Sequence, residues 1–420
     1  MPWQETSVME QRLLFVQAVL EGQESRSALC RRYGITRRSG RKWEQRYRSE
    51  GLLGLLDRSR APRRHPNAMA AELAAMILSV RREHPTWGPR KIRAWVSERY
   101  GGCPWPAAST IGDLLTRHGL TVPRRRRRRT PPATQPFAAC RGANDVWCMD
   151  FKGWFRTGDG RTCHPLTLSD AWSRYLLRCQ GMERIRQDAV RGVLASAFRE
   201  YGLPGAIRTD NGSPFAGRGL GGLSRLSVWW LKLGVSAERI DPGQPQQNGR
   251  LERLHRTLKA ETARPPRATL GSQQRAFNRF RESYNSERPH EALRQRPPAT
   301  AYGRSERVYP RRPPVVEYDE GLTVRRVRSD GSIKWRGELV FVSETLKAEP
   351  VGLDPVTDGR WVVYFCDLPL AVIDDRRGRL WPLHQALRRH LVAAASLRCS
   401  VRYAPGASQT VPKVDTMSPV

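Results

Sequence analysis

The feature that most constrains the fold is an unbroken run of six arginines, Arg124 to Arg129, with prolines on both sides. Like charges repel each other and proline interrupts helices, so the run predicts an extended basic linker over residues 123–136. Such a linker could follow a phosphate backbone, serve as a solvated tether, or act as a nuclear import signal in a eukaryotic host. It divides the chain into a helical N-terminal part and a longer C-terminal part.

Composition limits the partners of the chain. Of its 420 residues, 73 are lysine or arginine and 40 are aspartate or glutamate, which gives a formal net charge of +33. So much charge of one sign opposes the compact state by self-repulsion, and a polyanionic partner is its usual reason. Nucleic acid is the first candidate and an anionic membrane surface is the second. The length predicts two to four domains.

No segment predicts export or membrane insertion. The chain lacks a run of about 18 apolar residues, and its N-terminus, MPWQETSVMEQ, lacks a basic start followed by an apolar core. The eight cysteines form no CxxC pair and complete no zinc pattern with the eight histidines. We therefore expect reduced thiols and an intracellular protein, cytoplasmic and nucleoid-associated in a bacterium, with no membrane partner and no small-molecule cofactor.

Residues 1–60 are predicted to form a helix-turn-helix DNA-binding domain. A helix over QRLLFVQAVLEG precedes a short second helix, a turn at Gly34, and a third helix capped by Thr36. The cations gather on the third helix, so we expect that helix to contact DNA, although a helical hairpin with a basic surface is the alternative. The expected DNA contacts are Arg37, Arg38, Arg41, Lys42 and Arg46.

Residues 61–122 are predicted to form a second helix-turn-helix-like domain. AAELAAMILSVRREH is the first predicted helix, PTWGPRKIRAWVSERYG the second, with Pro89 in its first turn, and TIGDLLTRHGL the third, capped by Ser109. Arg90 and Lys91 on the middle helix are further expected DNA contacts. A small helical spacer is the alternative.

The pattern changes over residues 137–303 to strands alternating with helices. VWCMDF, CHPLTLSD, RYLLRCQ, AIRTD and SAERI are predicted strands, and helices are predicted over 187–202, over 223–234 and within GQPQQNGRLERLHRTLK. This order is typical of a mixed α/β domain. After a linker at 304–317, closely spaced turns predict a small β-barrel over 318–380, and then a poorly ordered tail over 381–420.

Three carboxylates stand out in the α/β region. Asp150 and Asp210 each end an apolar strand, and Glu252 lies on a strongly basic helix. Open α/β sheets present reactive groups at strand ends, and clustered carboxylates can be compensated by divalent cations such as a pair of Mg²⁺ ions. Each acid also has an ordinary explanation: an aspartate often starts a turn, and Glu252 could form an ion pair with Arg256 worth about 0.3 kcal/mol.

Five motifs then occur in order: WCMDFKGWF, LSDAWSRYLL, IRTDNGSPF, PQQNGRLERLHRTLK and YNSERPHEAL. Together they resemble the integrase core shared by retroviral integrases and many bacterial insertion-sequence transposases, over about residues 137–303. The resemblance implies an RNase-H-like fold with a DDE triad that binds two divalent ions, Mg²⁺ or Mn²⁺. By matching motifs, the triad maps to Asp150, Asp210 and Glu252. Helix-turn-helix units stand where retroviral integrases have a zinc domain, as in the bacterial branch.

The residues around Glu252 are expected to hold DNA. Its helix face carries His255, Arg256 and Lys259, and Asn248, with the two glutamines before it, offers side-chain amides at the edge of the site. A polar loop is the alternative for these amides.

The motif spacing departs from the family in one place. Between Asp210 and Glu252 lie 41 residues, more than is commonest in the family. We expect the glycine-rich segment 215–227 to absorb the excess as a loop. Asp170 is expected to be structural. Arg288 and His290 are expected either to touch DNA or only to end a helix.

These features predict a DNA transposase. It would bind double-stranded DNA at the terminal inverted repeats of its element, nick each 3′ end, and join the freed 3′-hydroxyls to target DNA. Because two ends must meet, we expect a homodimer or a higher oligomer. A stand-alone nuclease on the same fold is one alternative, and a DNA-binding regulator with an inactive core is another.

Overall fold

The computed structural model describes residues 7–59, 69–121, 140–217, 219–240, 249–312, 314–357, 359–375, 378–383 and 399–402. The chain divides into two compact units, Met1–Met69 and Ala70–Val420. The predicted arginine linker and most of the predicted tail lie outside the described residues.

The first unit is a small helical domain. Its helices are α1 (Val8–Glu21), α2 (Arg26–Arg32) and α3 (Arg37–Glu50), followed by a short 3-10 helix at Gly51–Leu55. Thr36 caps α3, as predicted, because its side chain accepts a hydrogen bond from the Ser39 N–H. Gly40 lets α2 and α3 approach closely, since a Cβ there would lie 2.6 Å from the Cys30 sulfur. The buried core contains Phe15, Val16, Leu29, Cys30, Trp43 and Leu55.

The second unit begins with three helices, α4 (Ala71–Glu83), α5 (Pro89–Arg99) and α6 (Ala108–Arg117). Pro89 is in the first turn of α5, as predicted, where its missing N–H is not needed. The predicted cap at Ser109 is wrong. Ala107 occupies the cap position, and Ser109 lies inside α6.

A six-stranded sheet forms the centre of this unit. Its strands are β1 (Val146–Phe151), β2 (Phe155–Arg156), β3 (Thr162–Asp170), β4 (Leu176–Met182), β5 (Ala206–Thr209) and β6 (Ser236–Arg239). The order is β4-β3-β1-β5-β6, with β2 beside the start of β3. Strands β1, β3 and β4 are antiparallel neighbours, whereas β5 and β6 run parallel to β1. This topology agrees with the expected RNase-H-like fold.

Helices cover both faces of the sheet. They are α7 (Gln187–Tyr201), α8 (Arg225–Lys232), α9 (Gly249–Thr262) and α10 (Leu270–Ser286). One buried cluster joins α7 and α8 to side chains such as Trp147 and Met149. Another joins α9 and α10 to Val146, Cys148 and Ala206 on the opposite face. Residues that alternate along β1 therefore enter different cores, which explains why the whole strand is apolar.

The C-terminal strands are β7 (Val315–Tyr318), β8 (Thr323–Arg326), β9 (Ser332–Trp335), β10 (Glu338–Phe341), β11 (Pro350–Thr357), β12 (Arg360–Phe365), β13 (Leu368–Asp374), β14 (Arg379–Pro382) and β15 (Cys399–Arg402). Among the described residues they form an open sheet in the order β14-β13-β12-β11-β8 and two separate two-stranded sheets, β9–β10 and β7–β15. The prediction of a closed barrel is therefore not confirmed. The turns were recognisable from the sequence, but closure depends on pairing between strands that are distant in sequence.

The glycine-rich segment after Asp210 contacts the C-terminal strands. Leu223 is buried in the same cluster as Leu370, and Leu220 packs against that cluster. Gly221, at φ +68°, comes so close that an added Cβ would lie 2.8 Å from Leu370 Cδ2. The extra residues between Asp210 and Glu252 thus join the core to the C-terminal sheet rather than forming a free loop.

Across the part of the chain that the structure describes, no helix is both long enough and apolar enough to cross a membrane. The cysteines whose side chains are described are free thiols, as expected.

Candidate functional site

The two predicted aspartates lie at the same end of two neighbouring parallel strands in the middle of the central sheet. Asp150 is the next-to-last residue of strand β1, and Asp210 directly follows β5. The parallel register pairs Cys148 with Arg208, so each aspartate lies two residues beyond a paired position. Asp210 Oδ1 accepts a hydrogen bond of 3.1 Å from the Gly212 N–H, which holds the turn after β5.

Glu252 lies in the first turn of α9 and is exposed to solvent. Leu251, Leu254 and Leu258 are buried and hold α9 against the sheet, as the apolar period predicted. The ion pair that α9 makes within the described residues joins Glu261 to Arg288, so the alternative role of Glu252 as the partner of Arg256 gains no support.

The electrostatics of the site are centred on Asp150. Burial raises the pKa of its carboxyl group to about 7, and the negative charges of Asp210 and Glu252 add to this effect. The nearby Lys152 ammonium acts in the opposite direction. Burial and two neighbouring carboxylates thus both disfavour the charged form of Asp150.

The donors present fit a hard divalent cation. Carboxylate oxygens are the ligands that Mg²⁺ prefers, and Mg²⁺ keeps several waters, so one or two carboxylates are enough to bind it. A cation would also relieve the uncompensated charge at Asp150. Among the described residues, however, no three histidine, cysteine, aspartate or glutamate side chains are arranged to hold a metal ion. The three acids do not form a closed coordination shell in this structure.

His255 is not on the exposed face of α9, where the sequence analysis placed it. It is only 4% exposed and lies beneath Asp150. Its Nε2 is 2.7 Å from the Thr167 hydroxyl, and its Nδ1 is 3.8 Å from Asp150 Oδ2. Burial and the charge of Lys152 lower its pKa to about 4, so the imidazole is neutral at pH 7. Leu251 and Leu258 belong to the buried stripe of α9, and His255 lies four residues after Leu251. This helical spacing was the sequence signal that could have predicted its burial.

The other cations of α9 lie where they were expected. Arg256 and Lys259 are exposed, so their charges are available to a polyanion. The expected DNA contact Asn248 and the glutamines before it lie outside the described residues.

The two cations of α5 are engaged within the chain. Lys91 donates a hydrogen bond to the Pro289 carbonyl, and burial lowers its pKa to about 7. Arg90 remains exposed but forms an ion pair of 3.2 Å with Glu291. The prediction that Lys91 is a surface charge for DNA is therefore corrected, because its ammonium is half-buried against the end of the core.

The motif YNSERPHEAL holds α5 against the core. Arg288, 7% exposed, donates from Nη1 to Glu261 Oε1 at 2.8 Å and to Thr86 Oγ1 at 3.1 Å. His290 packs edge-on against Tyr284, with ring centroids 4.7 Å apart. Both side chains are turned inward, so the suggestion that they touch DNA is not supported.

In the first unit, Arg37, Arg38, Arg41 and Lys42 are exposed on α3, and Arg46 is half-buried. Lys42 and Arg46 extend over the Trp43 ring, at 4.1 and 5.2 Å from its centroid. Arg12 from α1 covers the same ring at 3.9 Å. The indole thus supports a cluster of cations beside the exposed face of α3.

Models of known domain families match most of the chain. A helix-turn-helix domain matches residues 11–63, and a homeodomain-like domain matches residues 39–115. The integrase core domain matches residues 141–245 and, in a second model, residues 233–298. The C-terminal domain of IS481 family transposases matches residues 322–379. The fold and these matches define a transposase of the integrase class with helix-turn-helix DNA-binding domains.

Two bacterial relatives narrow the class to a family. An uncharacterized 31.7 kDa protein of insertion element IS407 from Burkholderia multivorans is 31% identical over 53% of this chain and 77% of its own length. An uncharacterized 39.2 kDa protein of insertion element IS476 from Xanthomonas euvesicatoria is 28% identical over 56% of this chain and 65% of its own length, just under two thirds. The chain belongs to the insertion-sequence transposases with an integrase-type core.

Solved retroviral structures are more distant. The catalytic core domain of HTLV-2 integrase in complex with magnesium, in a trimeric form, is 14% identical, with a TM-score of 0.31 over 39% of this chain and 99% of that chain. A simian T-cell lymphotropic virus intasome in complex with the PP2A regulatory subunit B56 gamma is 15% identical, with a TM-score of 0.34 over 66% of this chain and 92% of that chain. Likenesses at these TM-scores decide nothing about the chemistry of this chain.

Proposed function

We propose that the protein is a polynucleotidyl transferase that moves its own insertion element, with Asp150, Asp210 and Glu252 as its catalytic acids. The observation that carries the proposal is that Asp150 and Asp210 end two neighbouring parallel strands in a chain of this family. Burial and the charges of the other two acids raise the pKa of Asp150 there. A metal-binding role explains why the chain gathers these acids against their mutual repulsion. When bound there, two divalent ions would activate an attacking hydroxyl and stabilise a leaving oxygen.

The reaction has two steps. A water oxygen attacks the phosphorus at an element end, the bond from phosphorus to the 3′ oxygen breaks, and a free 3′-hydroxyl remains on the element. That hydroxyl then attacks a target phosphodiester, and a target 3′-hydroxyl leaves as the new bond forms. Each broken bond is replaced by a similar one, so no external energy source is needed. Positioning of the DNA therefore accounts for much of the protein's contribution.

The basic surfaces hold the DNA in this proposal. Exposed Arg37, Arg38, Arg41 and Lys42 would contact the terminal inverted repeats, with Arg46 supporting the same surface. Exposed Arg256 and Lys259 would hold phosphates beside the acids, and the two cations of α5 act only where their contacts with the core are released. Two element ends must meet, so the active form is at least a dimer. Because the substrate is the genome that carries the element, we expect the protein to act at the nucleoid in the cytoplasm.

The test uses purified protein, Mg²⁺, and labelled DNA carrying the two flanking ends of the locus. Wild type, Asp150→Asn and Asp188→Asn are scored for 3′-end nicking and for joining into a plasmid. Asp188 is the matched control, because it is an exposed acid of the same domain that pairs with Arg186 on the surface. We expect nicking and joining by wild type and Asp188→Asn alone. Nicking without joining would favour a nuclease. Binding of end DNA with no cleavage by wild type or by either variant would favour a regulator.

A further inference from the structure

Trp154 is an unusually exposed indole close to the acids. Its residue is 63% exposed, although tryptophan is among the most apolar side chains of a folded core. It lies in the loop that joins β1 to β2, four residues after Asp150. A chain of four residues spans at most about 14 Å, so the backbone of Trp154 lies within that distance of Asp150.

The loop that carries Trp154 is fixed at both ends. The Lys152 N–H donates to the Pro165 carbonyl at 2.9 Å. On the other side, Phe155 pairs with Cys163 in the β2–β3 ladder and packs edge-on against Phe277 at 6.5 Å. Between them Gly153 has φ +73°, a left-handed conformation that favours glycine. The turn at Gly153 therefore holds Trp154 out from a well-anchored pair of strands.

A cation accompanies the indole. Lys152 lies two residues before Trp154 and two residues after Asp150, so the same loop carries a positive charge. An exposed aromatic ring next to a cation and a carboxylate cluster matches what single-stranded nucleic acid requires. The cation attracts the phosphate, and the ring offers its face to a base.

Exposure alone does not distinguish Trp154, because the same core has another exposed tryptophan. Trp172 is 46% exposed, but it follows β3, whose last residue, Asp170, pairs with Trp147 near the start of β1. Trp172 therefore lies at the opposite end of the β1–β3 ladder from Asp150. Of the two, Trp154 alone is both exposed and on the loop that directly follows the strand of Asp150.

We propose that Trp154 forms a stacking subsite for an unpaired nucleobase adjoining the phosphate held at Asp150 and Asp210. The inference rests on the proposed function, because it takes the DNA at the acids to be the substrate. A base offers its face to a side chain only after it leaves the helical stack, so the occupant is a base at the frayed or opened element end. Stacking tolerates any base, so the subsite fixes the position of the strand rather than its sequence.

The experiment places 2-aminopurine, one position at a time, at the three nucleotides on each side of the scissile phosphate in end DNA. Ca²⁺ replaces Mg²⁺ so that the bound strand remains uncut. Wild type, Trp154→Ala, Trp154→Phe and the control Trp172→Ala are compared by fluorescence and by titrated affinity. Thermal unfolding of each variant checks that the fold is unchanged, as expected for exposed side chains.

We expect strong quenching at one or two positions with wild type and Trp172→Ala. Trp154→Ala should lose this quenching and weaken binding of the opened end about tenfold, on the scale of one stacked base, and Trp154→Phe should retain part of both. Quenching that persists in Trp154→Ala overturns the proposal. So does an equal loss in Trp172→Ala.

The two proposals fail in different ways. If end DNA is quenched in a Trp154-dependent manner but is never nicked in Mg²⁺, the subsite stands and the transposase activity does not. If nicking and joining proceed in Trp154→Ala with unchanged rates and unchanged quenching, the activity stands and the subsite does not.

Discussion

The imidazole of His255 and the hydroxyl of Thr167 meet at 2.7 Å directly beneath Asp150. The same hydroxyl lies 3.2 Å from the Asp150 carbonyl and donates to it, so its oxygen accepts the proton of His255 Nε2. This assignment leaves Nδ1 unprotonated on the side that faces the Asp150 carboxyl group, 3.8 Å away. The contacts fix the backbone of the first acid and place the neutral imidazole directly beneath its carboxyl group, which makes His255 a positioning residue rather than a DNA contact.

His255→Ala should therefore reduce nicking by about 10- to 100-fold, the usual effect of removing a group that orients a metal-binding side chain. The affinity for end DNA should hardly change, because the imidazole is buried. Higher Mg²⁺ should restore part of the lost rate. Arg256→Ala on the exposed face of the same helix provides the contrast, since it should weaken DNA binding and leave the Mg²⁺ dependence alone. If His255→Ala instead loses affinity for end DNA, His255 is a DNA contact and not a positioning residue.

The sequence predicted elements that are determined locally. VWCMDF is strand β1 residue for residue, and the leucine stripe of α9 is buried as its period indicated. Burial of His255 was harder to foresee, because histidine is polar and the nearby Arg256 and Lys259 suggested an exposed face, although the position four residues after Leu251 falls on the apolar stripe. The docking of Leu220 and Leu223 on the C-terminal sheet could not be predicted either. Glycines usually indicate a free loop, and nothing in the local pattern reveals that Leu220 and Leu223 meet strands more than a hundred residues later.

Asp150 should make the metal-free protein sensitive to pH. Burial raises its pKa in the fold to about 7 from an ordinary value of 3.8, so the fold favours the protonated form. The stability that this proton contributes is fully present below about pH 4 and is lost as the pH rises through 7. Asp150→Asn removes the ionisable group, so it should be more stable than wild type at pH 8, by at most about 4 kcal/mol at roughly 1.4 kcal/mol per unit of pKa.

Thermal unfolding in EDTA at pH 6 and pH 8 measures this difference, and added Mg²⁺ should reduce it by binding the ionised wild type. Asp188→Asn serves as the exposed control. Equal unfolding temperatures of wild type and Asp150→Asn at pH 8 in EDTA would show that ionised Asp150 does not destabilise the metal-free fold.

Arg288 should stabilise the attachment of α5 to the core. Its guanidinium is nearly buried and bonds both to Glu261 on α9 and to Thr86 just before α5. Arg288→Ala removes the ion-pair partner of Glu261 and leaves that carboxylate with the hydrogen bond from the Thr86 hydroxyl, so we expect a loss of about 3 kcal/mol in the free energy of unfolding. Urea denaturation measures this loss. Arg279→Ala, an exposed arginine of α10, should change stability by less than about 0.5 kcal/mol. Loss of DNA affinity without loss of stability in Arg288→Ala would contradict the assignment.

The exposed cations of α3 should determine the salt dependence of DNA binding. Arg38 and Arg41 lie on the open face of the helix, whereas Arg48 is tied to the buried carboxylate of Glu44 at 2.9 Å. Each phosphate contact that is removed should lower the slope of log affinity against log salt concentration by about 0.9. Arg38→Ala and Arg41→Ala should thus each flatten the slope by about one. Arg48→Ala should leave the slope unchanged and lower the thermal stability of the first unit. Fluorescence anisotropy with end DNA, repeated over a range of salt concentrations, measures all three. If one arginine loses affinity for end DNA alone and not for unrelated DNA, that side chain reads a base rather than a phosphate.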